Sequence, residues 1–199
     1  MFEQYTFTLA SASPRRHELL KGLDICFAVE PNKDEKEAYG TDLPHTGIPS
    51  FLARRKSETF HRSLRPGEVL ITADTLVFLD EKVLGKPRDG EEAAAMLRAL
   101  SGRTHTVITG VALRTPSGAQ NPAYRLHSFS DTTEVDFKPL SEEEIKHYIE
   151  KYRPFDKAGA YGVQEWIGYV GITAIRGSYF NVMGLPVQRL YTELCDFLY

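Results

Sequence analysis

Val69-Leu70-Ile71-Thr72-Ala73-Asp74-Thr75 is the stretch that decides how this chain is read. Its first five residues form a short, nearly unbroken apolar run, the pattern of a strand buried on both faces. The run is expected to deliver Asp74 and Thr75 to the strand's C-terminal end, where ligands gather in α/β folds. Taken alone, Asp74 leaves three readings open: metal ligand, general base or turn cap.

On the N-terminal side, residues 5–10 read as a strand that runs into Ser11-Ala12-Ser13-Pro14 and a short helix over residues 15–21. Ser13 suits the N-cap, Pro14 the first helical position and Gly22 the stop. Arg15 and Arg16 conflict with that helix start, because each cation there costs about 0.3 to 1 kcal/mol unless an anion is present. Two such arginines, free backbone N–H groups and the Ser11 and Ser13 hydroxyls could together cradle a phosphate. Two solvated arginines on a surface helix fit the same segment.

On the C-terminal side, residues 76–79 and 82–84 read as a hairpin around Asp80-Glu81, followed by the turn Gly85-Lys86-Pro87. Asp89 can cap a helix with Ala93, Met96, Leu97 and Leu100 on one face, ending before Gly102. Residues 106–113 and 126–137 read as two long strands, expected to pair antiparallel and to mark a second lobe. Ser141 and Glu144 form a capping box for a helix that presents Ile145, Tyr148, Ile149 and Tyr152. A last helix begins at Pro186 and buries Val187, Leu190, Tyr191 and Leu194. Strands and helices thus alternate irregularly, which predicts an α/β fold with a mixed central β-sheet flanked by helices, in one domain over residues 1–199.

The 199 residues carry a net charge of −3, which argues against a protein that grips a nucleic-acid backbone. Met1-Phe2-Glu3-Gln4-Tyr5 lacks the regions of a signal peptide, and no apolar run is long enough to span a membrane, so a cytoplasmic location is expected. Cys26 and Cys195 form no metal or disulfide motif. The six histidines show no metal spacing, and Walker A, GxGxxG and GxSxG motifs are all absent.

Other polar groups have a chemical and a bland reading side by side. Lys86 in its rigid turn, and likewise Lys56 and Lys157, can serve a phosphate oxygen as a point charge or simply face water. Asp156-Lys157-Ala158-Gly159-Ala160-Tyr161-Gly162 permits close backbone approach to a ligand, or only shapes a turn. Gln164 carries both a donor and an acceptor, as reading a base edge requires. Glu35, in a polar, turn-rich loop over residues 32–47, could join Asp74 as a hard oxygen ligand, although Lys33 and Lys36 also fit a solvated charge run.

Taken together, Leu9-Ala10-Ser11-Ala12-Ser13-Pro14-Arg15-Arg16, Thr72-Ala73-Asp74-Thr75, Gly85-Lys86-Pro87-Arg88-Asp89 and Leu100-Ser101-Gly102 resemble, in order and spacing, the Maf family of nucleotide pyrophosphatases. The likeness continues through Thr109-Gly110-Val111, residues 156–164, Gly177-Ser178-Tyr179 and Gly184-Leu185-Pro186. It implies a two-lobed α/β fold with a cleft, often dimeric, that hydrolyses nucleoside triphosphates to monophosphate and pyrophosphate as nucleotide-pool house-cleaning. Arg16, Thr75, Gln164 and the 157–162 stretch are similar to the branch acting on dTTP and UTP.

By that resemblance Asp74, Lys86, Arg15, Ser13 and Lys56 are the expected catalytic residues. Arg16, Thr75, Gln164 and Lys157 are expected to bind substrate, and Glu35 and Asp74 to hold Mg²⁺ or Mn²⁺. The implied partners are the nucleotide and a second copy of the chain, with no nucleic acid and no membrane. Two other readings compete with dTTP and UTP hydrolysis: a pyrophosphatase for modified purine triphosphates, and a nucleotide-binding regulator of cell division or septum formation with slow hydrolysis.

Overall fold

The computed structural model describes residues 2–32, 44–118 and 123–199. In chain order the elements are β1 (Thr6–Leu9), α1 (Pro14–Lys21), β2 (Phe27–Val29), α2 (Ile48–Glu58), β3 (Glu68–Leu79), β4 (Lys82–Leu84) and α3 (Gly90–Leu100). There follow β5 (Thr104–Pro116), β6 (Tyr124–Phe137), α4 (Glu142–Tyr152), α5 (Trp166–Gly171), β7 (Ile172–Arg176), α6 (Tyr179–Met183) and α7 (Val187–Leu198). Among the described residues the sheet has seven strands in the order β2-β1-β3-β5-β6-β7, with β4 also on β3. β1 lies parallel to β2 and β3, whereas β3 and β4, like β6 and β7, are antiparallel. The sheet is therefore mixed, as expected.

β3 differs from its expectation in one respect that bears on function. It runs from Glu68 to Leu79 without a break, so Asp74 and Thr75 lie inside a strand and not at its end. The register with β1 stops at Ile71 and the register with β4 starts at Val77, which leaves residues 72–76 between two partners.

Contacts divide the chain into two compact units. Unit 1 comprises Met1–Asp74, Thr109–Asp131 and Gly184–Tyr199, and unit 2 comprises Thr75–Ile108 and Thr132–Met183. The pair β5 and β6 is thus shared by both units, which corrects the expectation that it marks a second lobe. Its two strands are hydrogen-bonded neighbours, and Ser117 N–H donates to the Ala123 carbonyl where they approach their connection.

In unit 1, Leu9, Leu20, Leu52, Leu70 and Ile71 are fully buried. α7 buries Val187, Leu190 and Leu194 and adds Phe197 and Leu198, while Tyr191 stays at the edge. Tyr5 donates its hydroxyl hydrogen to the Leu198 carbonyl, which fastens the end of α7 near β1. A Cβ on Gly110 would meet the backbone of Pro49 and Ser50 at 2.1 to 2.2 Å, so glycine is what lets β5 lie directly against the start of α2.

Unit 2 is built on α3, α4 and the strands beneath them, with Leu97, Leu100, Ile145, Tyr148 and Ile167 at its centre. Its helix caps are those expected. The Asp89 side chain accepts from the Glu92 N–H, and Ser141 and Glu144 form a complete capping box. At α1, by contrast, Pro14 opens the helix as expected, but the Ser13 side chain makes no capping bond. The Ser13 N–H donates to Ser11 Oγ instead.

Candidate active site

In unit 1 the structure brings Asp74 and Lys56 together. Asp74 is only 4% exposed, and Lys56 Nζ donates a hydrogen bond to its Oδ1. Lys56 sits in the last turn of α2, where a cation also suits the helix dipole. Two further bonds fix that helix. The buried Thr72 hydroxyl donates to the Ala53 carbonyl at 2.6 Å, and Asn32 Nδ2 donates to the Lys56 carbonyl at 2.6 Å. Thr72 lies two residues before Asp74, so the carboxylate and its lysine are positioned by one short piece of β3.

α1 is tied to the same piece. Arg16 donates from Nε to the Gly184 carbonyl at 2.8 Å and from Nη1 to the Ala73 carbonyl at 2.9 Å. Part of its guanidinium therefore holds the backbone next to Asp74. Arg15 and Ser13 are half-buried at the start of the same helix. His17 Nε2 meets the Ser11 carbonyl at 2.7 Å, which shapes the turn that precedes the helix.

Thr75, Lys86, Lys157 and Gln164 belong to unit 2. Lys86 is exposed in its turn. The Gly159 N–H donates to the Gly85 carbonyl beside it at 3.1 Å. Gly159 has φ +69°, and a Cβ there would press on Val77 at 3.1 Å, which gives this glycine two reasons to be glycine. Lys157 is 8% exposed and is committed to carboxylates, at 2.7 Å from Asp156 and 3.1 Å from Glu165. The Tyr148 hydroxyl donates to Glu165 Oε2 and accepts from the Gly162 N–H at 3.0 Å. This network stiffens the stretch that ends in Gln164. Gln164 Oε1 is buried with no hydrogen-bond partner among the described residues.

Glu35 lies outside the described residues. Among the described residues no group of three or more histidine, cysteine, aspartate or glutamate side chains could hold a metal ion. Asp74 still fits the way Mg²⁺ is usually bound, by one or two carboxylates plus substrate phosphate oxygens.

A model of the Maf-like protein family matches residues 6–197. The chain belongs to the Maf family. This Maf chain is 50% identical over 192 residues to a dTTP/UTP pyrophosphatase of Bacteroides thetaiotaomicron, an alignment that covers 96% of each protein. It is 53% identical over 192 residues to a dTTP/UTP pyrophosphatase of Phocaeicola vulgatus, again with 96% of each covered. Among solved structures, the Staphylococcus aureus Ham1 protein shares its fold at TM-score 0.52 and 14% identity, with 98% of this chain and 100% of that one aligned.

Two features of the Maf chain's site were not legible in its sequence. The Lys56–Asp74 bond joins residues 18 apart on different elements, and no spacing rule announces it. Tyr148 and Glu165 hide behind ordinary roles, a core position of α4 and the N-cap position of α5. For Glu165, the adjacency to Gln164 was the only available signal.

Proposed function

We propose that this chain hydrolyses the α–β phosphoanhydride of dTTP and UTP, releasing the nucleoside monophosphate and pyrophosphate. The observation that carries the reading is the buried Asp74 carboxylate, fixed by Lys56 and flanked through Ala73 by Arg16. The names of its 50% and 53% identical relatives support the choice of nucleotides.

Asp74 orients a water molecule and takes its proton as the water oxygen bonds to the α-phosphorus. The bond from that phosphorus to the bridging oxygen breaks, and the electron pair leaves with pyrophosphate. Lys56 orients the carboxylate, while Arg15 and Lys86 balance phosphate charge and Ser13 adds a hydrogen bond. Arg16, Thr75, Gln164 and Lys157 are assigned to the substrate, and the buried Gln164 oxygen is suited to accept from the N3–H of uracil or thymine. Lys157 acts through the loop it pins as well as through its charge. Glu35 and Asp74 would hold Mg²⁺ or Mn²⁺, which when bound neutralises phosphate charge; metal ligation by Asp74 is the alternative to its role as base. The reading includes a cytoplasmic homodimer with no nucleic-acid partner, and among the described residues no helix is long and apolar enough to cross a membrane.

The test is to incubate the protein and its Asp74→Asn variant with Mg²⁺ or Mn²⁺, or with EDTA, and each common nucleoside triphosphate, then to identify products chromatographically. Monophosphate and pyrophosphate from dTTP and UTP, lost in the variant and with EDTA, are expected. Retained nucleotide binding without turnover of any of them would reject the reading.

A further inference from the structure

Unit 1 contains a second recess that the proposed reaction does not use. It is a cleft of 570 Å³ lined in part by Glu58, His61, Arg62, Ser63, Arg114 and Tyr124. Its place along the sheet is set by Thr115, whose hydroxyl donates to the Glu68 carbonyl at the first residue of β3. Asp74 is six residues further along the same strand, roughly 20 Å away at the usual rise.

Arg114 is the unusual member of this lining. It is 8% exposed, yet its hydrogen bonding amounts to one long contact from Nη1 to the Glu58 carbonyl at 3.5 Å, with the Tyr124 ring centroid 5.5 Å from Cζ. Among the described residues no carboxylate forms an ion pair with it. The Glu58 carboxylate is engaged by Arg54 at 2.9 Å. The carboxylates of Glu30 and Glu68 are engaged by Arg62, which makes four bonds to them at 2.7 to 2.9 Å and a fifth to the Ser63 carbonyl.

The two arginines of one cleft are thus opposites. Arg62 has spent its donors, and its bonds to Glu68 and Glu30 hold its pKa well above the ordinary guanidinium value. Burial pushes Arg114 the other way. A buried cation is stable when its lost hydration is replaced by an anion or by a full set of hydrogen bonds, and among the described residues Arg114 has only the long Glu58 carbonyl contact and the attraction of the Glu58 charge, without an ion pair.

We propose that this cleft binds a small organic anion, a phosphate monoester or a carboxylate on a flat apolar body, with the Arg114 fork on the anionic group. A guanidinium recognises either anion with two parallel N–H donors. The Ser63 hydroxyl can add a third. His61, whose ring centroid lies 4.5 Å from that of Phe60 at a tilt of 54°, and Tyr124 supply ring surfaces for the flat part of the ligand. The site is independent of the Asp74 chemistry, so its ligand acts as an effector or is carried, and is not turned over there.

The experiment is a titration of the full-length ¹⁵N-labelled protein with phenyl phosphate and, separately, with benzoate, following the arginine Nε–Hε signals. The Arg114 signal is expected to shift and saturate at roughly millimolar ligand or below. Phenyl phosphate active alone identifies a phosphate ligand, and benzoate active as well shows that a carboxylate suffices. Arg114→Met is expected to weaken binding by about tenfold or more, while leaving dTTP turnover at the wild-type level. An Arg114 signal unmoved by both compounds, or shifts confined to Arg15 and Arg16, would overturn the proposal. That readout is made on the wild-type protein, so it stands even if the variant fails to fold.

Discussion

Lys56 Nζ, at the end of α2, donates to Oδ1 of Asp74 in the middle of β3, and so a helix and a strand meet through one charged hydrogen bond. If that carboxylate activates water, Asp74→Asn lowers turnover of dTTP by about 10³-fold and leaves the far-UV spectrum unchanged. Lys56→Ala, which removes this bond and keeps the carboxylate, lowers turnover by a smaller factor, about tenfold to a hundredfold. Near-normal rates in Asp74→Asn would rule out both the base and the metal-ligand roles.

Gln164 Oε1 is a buried acceptor that makes no hydrogen bond to the described residues. A site built to hydrogen-bond a base discriminates through such groups, at about 1 to 3 kcal/mol for each one left unpaired. Gln164→Ala should therefore reduce the ratio of UTP to GTP turnover, measured as kcat/KM, by about tenfold or more. A ratio equal to that of the wild type would remove Gln164 from base recognition.

Gly110 controls how α2 is seated. Any side chain there meets Pro49 and Ser50 backbone atoms at 2.1 to 2.2 Å, and backbone cannot turn aside as a side-chain tip can. Gly110→Ala is expected to destabilise the protein by about 3 kcal/mol or more. That corresponds to a fall in Tm of roughly 6 to 12 °C in calorimetry. Turnover should fall at temperatures where the variant is still folded, because Lys56 moves with α2. An unaltered Tm would mean that the helix yields freely.

His105 sets a pH window for stability in unit 2. It is 2% exposed, its Nε2 meets the Tyr161 hydroxyl at 2.7 Å, and burial pushes its pKa down to about 4. The unfolded chain, with histidine at its ordinary value of about 6.5, binds the extra proton between those limits. Stability from this residue is therefore complete above pH 6.5 and is lost as pH falls to 4, by about 3 kcal/mol in all. Denaturant titrations across that range should show a steeper loss in the wild type than in His105→Phe. Equal slopes would exclude His105 as the source.

What could be read from the sequence follows the range of the interactions involved. Ser141 with Glu144, and Asp89 ahead of its helix, are complete within a few residues, and both caps form as expected. The apolar run at residues 69–73 is equally local, and it is buried. The end of that strand was not legible. A turn signal at Asp74 was outweighed by the long-range pairing of β3, which lies between β1 and β5 and continues to Leu79.

α2 is the clearest omission. Its Arg54-Arg55-Lys56 segment and exposed Phe51 blur the apolar face, so no helical period stands out. The helix is secured by Thr72 and by room made at Gly110, residues that lie far along the chain. Lys56 could be read from the sequence as a point charge for phosphate or as a solvated lysine, and its bond to Asp74 needed the fold to be visible.

The division of the chain carries a consequence for how this molecule can be cut, joined or inherited. The path passes from one unit to the other at 74/75, 108/109, 131/132 and 183/184, and the first three of these passages occur inside β3, β5 and β6. Neither unit corresponds to a continuous stretch of gene. A nuclease or a recombination event that takes one must break strands belonging to both, and no single protease cut releases either half as an intact fragment. The two halves are shuffled, duplicated or lost only together.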